Sequence, residues 1–91
     1  MNKGELITNV ANDTDLTKKE VEIIINSVFI NIQKALMLND KVQIIGFGSF
    51  DVKFHSARKG RNPRTGDVIN IPESKIPVFK PSKILKDRIN K

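Results

Sequence analysis

At 91 residues the chain has the length of one domain and little core to spare for a second, and with no cysteine it has neither a disulfide framework nor a thiolate metal site. No apolar run approaches the roughly 20 residues that span a bilayer, and the opening MNKGELITNV lacks the basic-then-apolar order of a signal peptide, so a soluble, cytoplasmic protein is expected. The formal charge of +6 is polarised: residues 1–52 hold five bases and seven acids, 53–66 five bases and no acid, 67–74 two acids, and 75–91 six bases and one acid, a pattern that marks a surface for a polyanion.

Asn2 can cap a helix with Glu5 as its third residue, and Leu6, Ile7, Val10 and Ala11 follow at helical spacing, which predicts a first helix to about Asp13. Thr17 with Glu20 forms a capping box, and Leu16 and Val21 can form a hydrophobic staple, so a second helix starts at Lys18. Its continuation VEIIINSVFINIQKALML contains three consecutive isoleucines that alone would pass for a strand, but length and capping favour a helix ending near Asn39. One apolar stripe holds Val21, Ile25, Val28, Phe29, Ile32 and Leu36; a second holds Ile23, Ile30 and Met37. A helix apolar on two sides must be covered on two sides, and a second copy of the chain is the economical cover. Without Trp or Tyr the core is expected to be largely aliphatic.

From Lys41 the period changes to two. KVQII reads as a short strand and GFG as a tight turn, and SFDVKFHS alternates Phe50, Val52 and Phe54 against Ser49, Asp51 and Lys53, which predicts one buried face. Asn-Pro and Thr-Gly in NPRTG are turn formers, and DVINIPESKIPVF reads as a returning strand that Pro72 and Pro77 interrupt and confine to an edge or to bulges. Ser82 can cap a short last helix, KILKDRINK.

Between Ser56 and Arg64 the one apolar side chain besides Pro63 is Ala57, so the ends of the hairpin cannot enter a core and should project as an arm. Arg58, Lys59, Arg61 and Arg64 then form a line of charge that attracts duplex phosphates without regard to sequence, by counterion release. A two-stranded ribbon is slim enough to follow a groove. Pro63 is a rigid apolar wedge with no amide hydrogen to leave unpaired, of the type that minor-groove architectural proteins insert between base pairs; a simple turn former is the plainer reading of an Asn-Pro pair. Lys80, Lys83, Lys86 and Arg88 around the last helix suggest a second phosphate surface, although cations there also suit the helix dipole.

The segments MNKGELI, NDKVQIIGFGSF, ARKGRNPRTG and IPVFKPSKILKDRI, in this order over the whole chain, resemble the HU/IHF family of bacterial nucleoid proteins. The resemblance implies an α+β fold in which two chains intertwine, with an α-helical body over about 1–40, a three-stranded antiparallel saddle and arm over about 41–80 (arm about 53–76), and a C-terminal helix over about 82–90. It implies a single DNA-binding domain that holds double-stranded DNA through the minor groove and bends and compacts it in the nucleoid, with Pro63 intercalating. Arg58, Arg61, Asn62 and Arg64 would meet the groove, Lys3, Lys18, Lys53, Lys80, Lys83 and Lys86 would face phosphates, and Lys59 and Lys75 would also bind DNA. Phe29, Ile32, Leu36, Phe47, Phe50 and Phe79 would lie in the dimer core. His55 stands at the arm base where the family often carries a permanent cation and would contact DNA there; an idle, partly exposed histidine is the bland alternative. The absence of visible base-reading side chains favours the HU branch over a site-specific, heterodimeric IHF-like subunit.

The chain offers no nucleophile with a base, no paired carboxylates and no metal cluster, so no catalysis, cofactor, metal or small-molecule substrate is expected. A ribosomal-type RNA-binding protein is the main rival. Every Phe lies in an apolar or alternating segment rather than on a stacking platform, which disfavours single-stranded ligands. The basic blocks lack a lipid-seeking apolar face, which disfavours a membrane.

Overall fold

The computed structural model describes residues 1–91, which run α1 (Lys3–Thr14), α2 (Lys18–Met37), β1 (Val42–Ile44), β2 (Gly48–His55), β3 (Arg58–Arg61), β4 (Val68–Ile71), β5 (Ser74–Pro81) and α3 (Lys83–Ile89). The backbone divides into two compact units, residues 1–34 and 35–91.

In the first unit the helix starts follow the local chemistry. The Asn2 side chain accepts from the Glu5 N–H at 2.9 Å. At α2 the capping box closes in both directions: the Glu20 N–H donates to Thr17 Oγ1 (3.1 Å), and the Thr17 N–H and hydroxyl donate to Glu20 Oε1 (3.4 and 2.9 Å). Asp15, in the left-handed conformation at φ 59°, ends α1. The buried apolar core of one chain is small, Ile7, Ala11 and Val21, with Val10 and Ile25 packed partly against it. Much of the α2 surface in this unit stays open: Ile23 is 61% exposed, and Val28, Phe29 and Ile30 are exposed as well.

In the second unit α2 ends in a Schellman motif. The Asp40 N–H returns to the Ala35 carbonyl and the Asn39 N–H to that of Leu36, with Asn39 at φ 59° taking the left-handed position usually held by glycine. The sheet is antiparallel in the order β1-β2-β5, and β3 and β4 form a separate two-stranded ribbon. A turn joins β1 to β2, with the Phe47 N–H bonded to the Ile44 carbonyl and Gly46 at φ 83°, a conformation that excludes side chains with a Cβ except at a cost. Pro72 interrupts the returning chain, as its sequence predicts, but Pro77 does not. It pairs with Val52 inside β5, tolerated because β5 is an edge strand that need not donate on its open side.

Alternation along β2 puts Phe50, Val52 and Phe54 on one face with Phe79, Pro77 and Lys75 of β5; the other face carries Ser49, Asp51, Lys53 and His55 with Lys80, Val78, Ile76 and Ser74. The expected burial of the first face fades along the strand: Phe50 and Val52 are half-buried, but Phe54 is exposed. The rings of Phe47 and Phe50 tilt against Phe79 with centroids 5.4 and 5.0 Å away.

Gly48 makes this cluster possible. A Cβ there would lie 2.5 Å from the Lys80 carbonyl oxygen and 2.6 Å from Phe79 Cζ. Gly48→Ala should therefore force β2 and β5 apart and destabilise the protein by about 1–3 kcal/mol, as overpacking does. The urea midpoint should fall accordingly, and a parent-like midpoint would show that the strands separate freely at this point.

Candidate nucleic-acid interface

The arm is built from two breaks and one turn. The β2–β5 ladder ends at the pair His55 and Ser74, and the β3–β4 ladder begins at Arg58 and Ile71. Between them Ser56–Ala57 and Pro72–Glu73 lie opposite one another outside any strand. The ribbon is therefore joined to the sheet through two facing two-residue breaks, because Pro72 cannot donate to a ladder and Ser56 and Ala57 have no paired strand to meet.

At the tip the Asn62 N–H donates to the Asp67 carbonyl and the Gly66 N–H to the Asn62 carbonyl, both at 2.8 Å. The Asn62 side-chain oxygen accepts from the Arg64 N–H at 2.9 Å, and Thr65 Oγ1 accepts from the Asp67 N–H at 3.3 Å. Gly66, at φ 75°, lets the chain close. The result is an Asx turn that holds Pro63 exposed at the extremity between Arg61 and Arg64. Asn62 thus has its side-chain oxygen committed to the turn.

The ribbon has two unlike faces. Lys59 pairs with Asn70 and Arg61 with Val68 on one; Arg58 pairs with Ile71 and Gly60 with Ile69 on the other. On the second face the missing side chain of Gly60 is filled from across the ribbon: a Cβ there would meet Ile71 Cδ1 at 3.0 Å and Ile69 Cγ1 at 3.7 Å. That face is a low apolar ridge beside Arg58, and the first is a cationic edge. Gly60, Ile69 and Ile71 are absent from the expected site, although the alternation in DVINI already separates Ile69 and Ile71 from Val68 and Asn70.

The other basic residues expected to bind DNA, Lys75 apart, fall into three groups. Lys53, His55 and Lys80 share the sheet face opposite the phenylalanines, with Asp51 among them. Lys83 and Lys86 stand on α3, which Ser82 caps by accepting from the Leu85 N–H at 3.1 Å and joins to the β1–β2 turn by donating its N–H to the Phe47 carbonyl at 2.9 Å. Lys3 and Lys18, in the first unit, are the first residues of α1 and α2. A cation at a helix N-terminus opposes the macrodipole by about 0.3–1 kcal/mol, so local helix chemistry does not account for either one. Glu5 and Glu20 in the same first turns partly offset them.

Lys75 is not brought together with these residues. It lies on the phenylalanine face, and its Nζ donates to Asn39 Oδ1 at 3.1 Å and to the Met37 carbonyl at 3.4 Å. Of the expected core residues in the second unit, Phe50 and Leu36 are half-buried, while Phe47 and Phe79 remain exposed in one chain; in the first unit Ile32 is half-buried and Phe29 exposed. No group of three or more His, Cys, Asp or Glu is placed to hold a metal ion, and no helix is long and apolar enough to cross a membrane.

The sequence matches the family model for bacterial DNA-binding proteins over residues 1–90. It is 55% identical over 89 residues to DNA-binding protein HU 1 of Bacillus subtilis, covering 98% of this chain and 97% of that protein. It is 48% identical over 91 residues to DNA-binding protein HU of Clostridium pasteurianum, covering all of both. Among solved structures it resembles an Anabaena HU–DNA cocrystal structure with a TM-score of 0.87 at 37% identity, over 98% of this chain and 97% of the other. HU from Thermotoga maritima aligns with a TM-score of 0.72 at 36% identity over 98% of each chain. A match running from the first helix cap through the arm to the last helix places the chain in the bacterial DNA-binding protein family, beside its HU members.

Proposed function

We propose that the protein is a histone-like protein that binds double-stranded DNA with little sequence preference and bends it, acting as a homodimer in the bacterial nucleoid and catalysing no reaction. The observation that carries this reading is the arm itself. It is a two-stranded ribbon with a cationic edge, joined to the sheet through two unpaired segments and ended by an exposed proline in a hydrogen-bonded turn. The relatives named as DNA-binding proteins, and a structural neighbour crystallised with DNA, support it.

In this mechanism counterion release draws Lys and Arg side chains to phosphates without regard to base sequence. The ribbon enters the minor groove with the Ile69–Ile71 ridge and Pro63 as its apolar parts, because sugar walls and base faces are the apolar surfaces a groove offers. Pro63 separates a base step at a cost of a few kcal/mol and kinks the duplex, and the kink brings flanking DNA to Lys53, Lys80, Lys83 and Lys86. The aliphatic ridge and the wedge make no donor–acceptor match with particular bases, which suits low sequence preference.

The test is the salt dependence of binding to a short mixed-sequence duplex. Log affinity should fall linearly with log salt, by about 0.9 for each phosphate neutralised, so that six to ten phosphates cost about 10³–10⁵ in affinity between 50 and 200 mM salt. Affinity indifferent to salt over that range would sink the phosphate assignment. Tighter binding to duplex RNA than to duplex DNA would favour the RNA reading instead.

A further inference from the structure

At the α2 C-terminus the Met37 carbonyl receives no closing bond from its own chain segment. The Schellman motif uses the carbonyls of Ala35 and Leu36, and the last helical residue, Met37, is completed from the sheet: its oxygen accepts from Lys75 Nζ. The same ammonium holds Asn39 Oδ1, the side chain of the left-handed residue that ends the helix. A glycine would satisfy the backbone at that position equally well but would offer Lys75 no acceptor. A cation at this end of a helix is also favoured by the macrodipole.

Lys75 is the second residue of β5 and pairs with Phe54, one step from the His55–Ser74 pair at which the ladder stops. The tether therefore grips the sheet immediately below the facing breaks at Ser56–Ala57 and Pro72–Glu73, on the face opposite Lys53 and Lys80. A strand end held only by its ladder frays, whereas one also fastened to a helix end does not.

We propose that Lys75 is a positioning residue for DNA bending, locking the root of the arm to the last turn of α2 through Asn39 and the Met37 carbonyl rather than neutralising a phosphate. The proposal rests on the arm being the DNA-bending element. With the lock in place the breaks above it carry the motion of the arm; without it the root loosens too, and the wedge arrives at the base step over a wider range of directions. Attraction to DNA changes little because the ammonium, although still charged, is held on the face opposite Lys53 and Lys80.

Three variants test this in the intact protein. Lys75→Met removes the donor, Asn39→Gly keeps the left-handed backbone and removes the acceptor, and Asn39→Asp keeps an acceptor. Amide hydrogen exchange of the free protein at residues 53–55 and 74–76 should quicken by about two- to fivefold in Lys75→Met and Asn39→Gly, the size expected of an exposed charge-assisted contact, and stay near the parent in Asn39→Asp. On a short duplex labelled at both ends, the same two variants should show lower and broader energy transfer at saturation with the parent's salt slope, and Asn39→Asp should restore the transfer. A salt slope shallower by about 0.9 per phosphate with parent-like transfer in Lys75→Met would make Lys75 a phosphate ligand and overturn the proposal. Parent-like exchange in Asn39→Gly would overturn it as well. If the parent itself fails to bend the duplex, the bending function falls, and with it the role given to Lys75, while the exchange measurements still report whether the lock exists.

Discussion

Pro63→Ala should abolish most of the DNA bend while leaving the attraction to DNA in place. Arg58, Arg61 and Arg64 keep their charge in the variant, and the turn keeps its shape, because its hydrogen bonds run through Asn62, Thr65, Gly66 and Asp67 rather than through residue 63. What disappears is the wedge. Alanine is too small to hold a base step open, and without the kink, which spans about 20–90° among proteins that insert such side chains, the duplex straightens and leaves part of the sheet surface. Arg61→Ala should do the reverse, lowering affinity and making the salt slope shallower by about 0.9 for each phosphate no longer neutralised, with bending kept in the complexes that form. Energy transfer between the ends of a short duplex at saturating protein separates the two, with circular dichroism showing that both variants fold. A Pro63→Ala protein that bends DNA as strongly as the parent would reduce the proline to a turn former.

The second large effect is on stability. One chain buries only Ile7, Ala11 and Val21 as a hydrophobic core while Val28, Phe29 and Ile30 on α2 and Phe47 and Phe79 on the sheet unit remain exposed. That core is too small to offset the conformational entropy of 91 residues. Folding should therefore be inseparable from association with a second copy, and each tenfold rise in protein concentration should add about 1.4 kcal/mol to the apparent stability and raise the melting temperature. Phe29→Ala should cost roughly 3–5 kcal/mol per site if the ring is buried in the dimer, enough to unfold the chain at low micromolar concentration. Sedimentation equilibrium combined with thermal melts across a concentration series provides the check. A folded monomer at micromolar concentration, with a melting temperature independent of concentration, would refute association through these faces.

The parts of this protein that the sequence determines by itself are those governed by neighbours within a few residues. Asn2 with Glu5, Thr17 with Glu20 and Ser82 with Leu85 start the three helices through hydrogen bonds three residues long, and these starts are legible without a fold. The change of period at Lys41, the turn at Gly46 and the run of bases without an acid up to Gly66 are equally local, which is why the arm is recognisable from composition and turn chemistry. Tertiary structure decided what depends on pairing across distance. Pro77 continues a strand where Pro72 ends one, because register places Pro77 opposite Val52 on an open edge and leaves Pro72 beside the unpaired Ser56–Ala57 segment. Phe54 belongs to the alternating apolar set yet is exposed, since burial depends on what lies over the strand end and not on its period. Lys75 reads in sequence as one more base of a cationic block. Only the β2–β5 register turns it to the phenylalanine face, and only the left-handed end of α2 presents it with Asn39 and a free carbonyl, a meeting of residues 36 and 38 positions apart that no local pattern encodes.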